Sequence, residues 1–152
     1  MIDVGCGTGA LLAAFRECGC TVNGLEYADP GIEYCRRRHL PVRKFNVEKD
    51  TLAERHDLVT SFEVAEHLPS WIADKFADLL CSLAPIVVMS AATPGQGGLD
   101  HVNEQPHSYW KDRFKRRGYT FDGDASADLA DQWRSAGTAD FYYKNVMVFV
   151  SK

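Results

Sequence analysis

The stretch Ile2-Asp3-Val4-Gly5-Cys6-Gly7-Thr8-Gly9 decides the fold of this chain. Its first three residues are typical of the end of a buried strand, and the alternating glycines predict a tight turn before a helix that begins at Ala10. A helix N-terminus directly after such a turn presents unpaired N–H groups and a partial positive charge. The stretch therefore predicts a site where main-chain atoms hold a polar or anionic ligand.

The composition predicts a single domain over residues 1–152 that does not bind nucleic acid. The chain has 152 residues and a hydrophobic content of 45%, so it is long enough to bury a core. Its net charge of -4 and isoelectric point of about 5.7 give it no overall basic character. No apolar run approaches the ~20 residues that cross a membrane, so no membrane partner is expected. Five cysteines, an odd number, without a signal peptide favour reduced thiols and a cytoplasmic location.

Strand and helix patterns alternate along the chain. Strands are expected at residues 1–4, 21–25, 42–45, 57–62, 85–90, 119–121 and 145–150. Helices are expected at residues 10–18, 29–39, 66–83 and 108–117, and Asp29 is the predicted N-cap of the second helix. Residues 122–137 are polar and rich in alanine, which predicts an irregular or helical insertion. The alternation predicts a parallel sheet with helices on both faces and a ligand site at the carboxyl ends of its strands.

Two further features accompany the glycine turn. Glu26 ends the second predicted strand, where a carboxylate can accept two hydrogen bonds from a ribose diol. Residues 57–68 have the sequence D-L-V-T-S-F-E-V-A-E-H-L. Together with D-V-G-C-G-T-G at residues 3–9, and in this order, they resemble the class I S-adenosylmethionine-dependent methyltransferases. A glycine turn alone also occurs in dinucleotide-binding proteins, and Glu26 alone could be a solvated residue at a strand end.

The resemblance covers nearly the whole chain. It implies a Rossmann-like, doubly wound α/β fold whose mostly parallel sheet has seven strands, the last of them antiparallel. It also implies S-adenosyl-L-methionine as the cofactor and methyl transfer to a small-molecule or sugar-type acceptor by SN2 displacement. Two alternatives stay open: a protein that cleaves the same cofactor, and a binding protein without catalysis.

The resemblance assigns the first cofactor contacts to the glycine turn. Gly5, Gly7 and Gly9, with Cys6 in the same turn, would wrap the methionine part and the ribose of the cofactor. Asp3 would orient the turn or reach the cofactor amine, directly or through water.

Further contacts follow the next two strands. By the same resemblance, Glu26 would hold the ribose hydroxyls and Tyr27 would pack on the adenine face. Asn46 and Val47 would lie at the adenine edge, where the family usually has an aspartate. An asparagine oxygen can still accept a hydrogen bond from the adenine amino group, so binding is expected to be kept.

The last cofactor contacts follow the fourth predicted strand. Phe62 and Glu63 would line the methionine moiety and the entrance for the acceptor. His67 begins a predicted helix and is interpreted as a residue that caps it or packs near the cofactor.

The sequence H-V-N-E-Q-P at residues 101–106 resembles a stretch found in a subset of these methyltransferases. His101 is the candidate general base, and Asn103 and Glu104 are candidates for positioning the acceptor. The alternative is that His101 and Asn103 only organise the loop by hydrogen bonds. Spacing alone fixes no geometry for a metal held by His101 and Glu104, so no metal is expected.

Aromatic residues are frequent in the second half of the chain. Most are expected to pack in the core or in a lid, with one or two covering the acceptor pocket. They are Tyr109, Trp110, Trp133, Phe141, Tyr142 and Tyr143. The chain lacks both the Asn/Asp-Pro-Pro-aromatic motif and the Pro-Cys pair of enzymes that methylate DNA bases, which favours a small-molecule acceptor.

Typical members of the resembling family carry one or two helices before the first strand. The sequence starts at the first strand, so either it is a minimal natural form or Met1 is an internal start in a longer frame, and in both cases we expect a more open pocket. Either the cofactor binds weakly, or a homodimer supplies the missing cover.

Overall fold

The computed structural model describes residues 1–152. Its strands are β1 (Ile2–Val4), β2 (Asn23–Glu26), β3 (Val42–Lys44), β4 (Leu58–Ser61), β5 (Ile86–Met89), β6 (Tyr119–Asp122) and β7 (Met147–Ser151). They form one sheet in the order β3-β2-β1-β4-β5-β7-β6. The pairs among β1 to β5 are parallel, and β7 runs antiparallel to both β5 and β6. The predicted seven-stranded Rossmann-like sheet with an antiparallel last strand is confirmed.

Six α-helices accompany the sheet. They are α1 (Ala10–Glu17), α2 (Asp29–Arg37), α3 (Ala73–Leu83), α4 (His107–Arg116), α5 (Gly123–Ser135) and α6 (Asp140–Asn145). None of them is long and apolar enough to cross a membrane.

The apolar residues of the helices and the sheet form two buried clusters. The larger joins the sheet to α3 and α4 and contains the fully buried side chains of Phe76, Trp110 and Phe114. The smaller contains Leu12 of α1 and Cys35 of α2. Burial of each large apolar side chain stabilises the fold by roughly 1.5–3 kcal/mol, so both clusters hold their helices firmly against the strands.

The strand order determines where a ligand can bind. From β1 the chain continues to β2 and β3 on one side, and then crosses to β4 and β5 on the other side. The loops that follow β1 and β4 therefore diverge from each other and leave a crevice at the carboxyl ends of these strands.

One predicted helix is wrong at its start. The helix is predicted to begin at residue 66, but two short 3₁₀ turns, Ala65–His67 and Ser70–Ile72, precede the α-helix, which begins only at Ala73. Pro69 explains the interruption, because a proline disfavours helical geometry in the residue before it. Leu68 accordingly has φ -92° and ψ 131°, which is extended backbone.

The other differences are small. Ala28 is the residue that precedes α2, so Asp29 is its first helical residue and not its N-cap as predicted. The insertion between the last two strands is helical and consists of α5 and α6. Asp122 caps α5, because its side chain accepts a hydrogen bond of 2.9 Å from the N–H of Ala125.

Candidate active site

A cavity of about 1160 Å³ lies at the carboxyl ends of β1, β2, β3 and β4. The residues that the sequence assigned to the cofactor and that line the cavity are Asp3, Gly5, Cys6, Gly7, Glu26, Tyr27, Asn46, Val47, Phe62, Glu63 and His67. Gly9 is not part of the cavity wall, and neither are His101, Asn103 and Glu104. The structure thus brings all cofactor candidates except Gly9 together around one cavity, whereas the three acceptor candidates do not line it.

The glycine turn presents bare main chain to the cavity. Gly5 and Gly7 have φ values of 78° and 53°, in the left-handed region that favours glycine. A Cβ atom at Gly7 would meet nothing within 4 Å, whereas one at Gly5 would lie 2.3 Å from Cγ2 of Val64. Gly9 has a packing role, since its Cβ atom would lie 2.6 Å from Leu40. The turn therefore leaves space for a ligand at Gly7, whereas Gly5 and Gly9 are packed against neighbouring side chains.

Glu26 is fixed at the open side of this turn. Its Oε2 accepts a hydrogen bond of 2.7 Å from the N–H of Gly7. Its Oε1 accepts hydrogen bonds of 2.8 Å from the N–H groups of Tyr27 and Ala28. Each carboxylate oxygen has two lone pairs, so Oε1 is fully used and Oε2 can still accept one hydrogen bond from a ligand in the cavity.

Asp3 is a buried carboxyl group in the cavity wall, with 4% of its surface exposed. The hydroxyl of Thr60 donates a hydrogen bond of 2.7 Å to its Oδ1. The pKa of Asp3 is raised to about 6, mainly by burial and slightly by the charge of Glu26, while the hydrogen bond from Thr60 acts in the opposite direction. A ligand ammonium group would favour the ionised form of this carboxyl group.

Asn46 and Tyr27 lie at the outer part of the cavity. The side-chain oxygen of Asn46 accepts a hydrogen bond of 2.8 Å from the N–H of Glu48, which fixes its direction in a local turn. The N–H of Asn46 donates to Asp50 over 2.7 Å. Tyr27 remains 64% exposed, so its ring is available to a ligand at the cavity rim.

Glu63 is held from two sides. Ser90 donates a hydrogen bond of 2.7 Å to its Oε1, and the side-chain amide of Gln96 donates one of 3.0 Å to its Oε2. Asn145 of α6 in turn donates a hydrogen bond of 2.6 Å to the amide oxygen of Gln96. Glu63 itself has φ 53°, a conformation that costs about 1 kcal/mol for a residue with a side chain. The network compensates for this cost and joins the cavity wall to α6.

Glu66, His67 and His101 form a cluster beside the cavity, which His67 lines. Glu66 is fully buried, and neither of its carboxyl oxygens has a hydrogen-bond partner. Burial raises the pKa of Glu66 to about 7, and the charge of Glu63 adds to this effect. The cluster therefore contains a carboxyl group that lacks any polar partner in the protein itself.

The same cluster could hold a divalent metal ion. One carboxylate oxygen of Glu66 and one ring nitrogen each of His67 and His101 lie within 4.8 Å of one another. The two imidazole rings are 5.0 Å apart between centroids and nearly perpendicular. Carboxylate and imidazole are ordinary ligands of zinc and of other divalent ions. From the sequence, a metal held by His101 and Glu104 is considered and not expected. In the structure, the possible metal ligands near His101 are Glu66 and His67.

Glu104 and Asn103 organise the loop after β5. Glu104 accepts hydrogen bonds of 2.8 Å and 2.7 Å from the N–H groups of Gly95 and Gly97, and its Oε1 lies 2.9 Å from Nδ1 of His101. The hydrogen bond with His101 lowers the pKa of Glu104. Asn103 is buried, and its N–H donates to the backbone oxygen of Glu66 over 3.0 Å. These contacts match the loop-organising alternative for Asn103 and set the position of His101.

The insertion supplies three cavity residues, Trp133, Thr138 and Tyr142. The sequence named Trp133 and Tyr142 among six aromatic candidates and did not name Thr138. The prediction that one or two aromatic residues cover the pocket did not say which ones they were. We call Phe62, Trp133 and Tyr142 the aromatic corner. Their ring centroids lie 5.3 to 6.5 Å apart, and the three ring planes are mutually inclined by 73°, 83° and 88°.

The chain belongs to a family of methyltransferases. The sequence pattern of the family described as "Methyltransferase domain" matches residues 1–139. This confirms the resemblance found in the sequence.

Among curated relatives, the chain is similar to ubiquinone biosynthesis O-methyltransferases. That of Rhodopseudomonas palustris (strain HaA2) is 35% identical over an alignment of 74 residues, and the match covers 45% of this chain and 29% of the relative. That of Bordetella avium (strain 197N) is 31% identical over an alignment of 80 residues, and the match covers 45% of this chain and 32% of the relative. The matches thus span about a third of the length of these relatives.

Two solved structures illustrate the similarity in fold. Magnesium protoporphyrin IX methyltransferase from Synechocystis PCC 6803 with bound SAH has a TM-score of 0.77 at 16% identity. The match covers 99% of this chain and 73% of that enzyme's chain. The sugar N-methyltransferase KedS8 from Streptoalloteichus sp ATCC 53650 has a TM-score of 0.74 at 13% identity, and the match covers 99% of this chain and 79% of KedS8.

Proposed function

We propose that this chain transfers a methyl group from S-adenosylmethionine to a small-molecule acceptor. The observation that carries the proposal is the carboxylate of Glu26, fixed by Gly7 at the open side of the glycine turn inside the cavity. Family membership and a relative with bound SAH support the choice of cofactor. The names of the similar proteins refer to ubiquinone biosynthesis, magnesium protoporphyrin IX and a sugar, which supports a small molecule as the acceptor.

The residues of the cavity fit this cofactor. Gly7 leaves room for a ligand against its backbone, and Oε2 of Glu26 keeps one lone pair free for a ribose hydroxyl. The buried carboxyl group of Asp3 is placed to accept hydrogen bonds from an ammonium group. When bound, the cofactor supplies a methyl group on a positively charged sulfur.

The cluster of Glu66, His67 and His101 is the proposed acceptor side. His67 reaches the cavity surface, and Glu66 behind it carries a carboxyl group without a partner. His67 can accept a proton from an acceptor hydroxyl or amine, and the three groups together can hold a divalent ion that lowers the pKa of that acceptor. His101 therefore acts on the acceptor through this cluster, and Glu104 orients its ring.

The test is product analysis with S-adenosylmethionine and a panel of phenols, sugars and amines. We expect S-adenosylhomocysteine together with an acceptor heavier by one CH₂. His101→Ala should lower this turnover and leave the affinity for S-adenosylhomocysteine within about twofold, because His101 lies outside the cavity wall. Other cofactor fragments formed without an acceptor would instead support a cofactor-cleaving protein. Binding without turnover over the whole panel would support a protein that has lost catalysis.

A further inference from the structure

The aromatic corner is built from two distant parts of the chain. Phe62 follows β4, whereas Trp133 lies on α5 and Tyr142 on α6. All three side chains are half-buried and line the cavity. The three rings meet edge to face, so none is stacked on another, and each contributes to the cavity wall.

The charged residues that line the cavity are mostly acidic. The acidic residues that line the cavity are Asp3, Glu26, Glu48, Glu63 and Asp100. The only lysine or arginine among the lining residues is Lys49. The pKa of Tyr142 is raised, first by burial and then by the negative charge of Glu63, Glu66 and Asp3. These carboxyl groups therefore also act on the corner itself.

Aromatic faces and carboxylates attract the same kind of ligand. The face of an aromatic ring carries partial negative charge and binds cations, and alkylated ammonium groups are bound in this way between several rings. A carboxylate or phosphate group would be repelled by the acidic lining. A neutral group would gain only the apolar contact.

We infer that the aromatic corner of Phe62, Trp133 and Tyr142 binds an alkylated onium cation. The inference rests on the proposed function and deepens it by naming the charge of the bound group. Two groups have this chemistry: the sulfonium of the methyl donor and an alkylammonium group of the acceptor. In either case the corner distinguishes ligands by charge as well as by shape.

The first experiment tests the sulfonium. Calorimetry compares the affinities for S-adenosylmethionine and S-adenosylhomocysteine, which differ by the methyl group and its positive charge. If the sulfonium lies at the corner, the wild type prefers S-adenosylmethionine, and Trp133→Leu reduces this preference by about two- to thirtyfold. Trp133→Phe should keep most of it. Trp71→Ala is the control, because Trp71 is 77% exposed and lies outside the cavity.

The second experiment tests the ammonium group. Choline and its neutral isostere 3,3-dimethylbutan-1-ol are titrated into the protein, with and without S-adenosylhomocysteine. We expect choline to bind at least about twofold more tightly than the isostere, and Trp133→Leu to remove the difference. Because this comparison also uses the protein without cofactor, it does not depend on the proposed methyl transfer.

The outcomes separate the two proposals. A charge preference that Trp133→Leu removes in either experiment supports the inference and identifies the bound group. Equal effects of Trp133→Leu on charged and neutral ligands in both experiments would overturn it and leave the corner as packing. Failure of the wild type to bind S-adenosylhomocysteine would instead contradict the proposed function.

Discussion

Glu26 and Gly7 are joined by a hydrogen bond of 2.7 Å from the backbone N–H of the glycine to the carboxylate. The bond ties the end of β2 to the turn that follows β1, although the two residues are 19 positions apart in the sequence. The carboxylate is therefore held in its binding orientation by the protein before any ligand arrives, which reduces the entropy that binding must cost.

Glu26→Ala should weaken the binding of S-adenosylhomocysteine by about 1–3 kcal/mol, because hydrogen bonds to a charged group are lost. Glu26→Gln keeps the shape and should also weaken binding, since its amide nitrogen cannot accept from backbone donors. Glu33→Ala is the control, because Glu33 is an exposed residue of α2 outside the cavity. Calorimetry measures all three variants, and an affinity unchanged in Glu26→Ala would remove this residue from the site.

Asp3 should make stability depend on pH. Its pKa is raised from 3.8 to about 6, so its contribution is fully present below pH 4 and is lost as the pH rises through 6. The loss is about 3 kcal/mol, because one pKa unit corresponds to about 1.4 kcal/mol. The free energy of unfolding of the wild type relative to Asp3→Asn should fall by this amount between about pH 4 and pH 7. Urea unfolding at several pH values measures it, and a constant difference would contradict the burial of a neutral carboxyl group.

Gly31→Ala and Gly123→Ala should have opposite effects on stability, although both glycines lie in the first turn of a helix. A Cβ atom at Gly31 would lie 2.8 Å from the backbone oxygen of Gly7, whereas one at Gly123 would lie 3.4 Å from the ring of Phe121. Gly123→Ala should stabilise the protein by up to about 1 kcal/mol, which is the gain of alanine over glycine in helices. Gly31→Ala should destabilise it and also weaken cofactor binding, because α2 must move away from the turn. Thermal unfolding and calorimetry measure both effects, and equal stabilisation by the two substitutions would argue against this close approach.

Gln96 should matter more than its place in a loop rich in glycine and proline indicates. Gln96→Leu removes the donor to Glu63 and the acceptor for Asn145, which is 2% exposed. We expect a loss of about 1–3 kcal/mol in the free energy of unfolding, since a buried amide loses its partner. Gln132→Leu on the exposed face of α5 is the control and should stay within about 0.5 kcal/mol. Chemical denaturation measures both, and similar values for the two variants would show that the network contributes little.

Glu66 should determine whether the protein binds a divalent ion. Titrations with Mg²⁺, Mn²⁺ and Zn²⁺ are expected to show one site, and Glu66→Gln should weaken it by tenfold or more, because the amide is a poorer ligand. The control is His39→Asn, since His39 is exposed and asparagine tolerates its φ of 53°. Equal ion affinities in the wild type and Glu66→Gln would mean that the ion does not bind at this cluster.

The first half of the cavity could be predicted from the sequence because its residues act locally. The alternating glycines after a short apolar strand and the acidic Glu26 at the next strand end both follow from local pattern. The parallel order of β1 and β2 then brings Gly7 and Glu26 together without further information.

The acceptor side could not be predicted in the same way. Glu104 was a candidate for positioning the acceptor, but its hydrogen bonds to Gly95 and Gly97 depend on the path of a loop that no periodicity describes. The approach of Trp133 to Phe62 depends on how α5 leaves β6, which is a long-range contact. The start of α3 at Ala73 was missed although Pro69 was visible, because proline in a first helical turn is often tolerated.

The insertion has one more consequence, which concerns how such a protein can change during evolution. Asp122 and Val148 are paired across β6 and β7, so the segment between them leaves the sheet and returns to it at the same place. Its length and sequence can vary without shifting the register of the other five strands. Evolution could thus replace the segment between β6 and β7 and change the substrate preference, while the loops after β1, β2 and β3 stay the same.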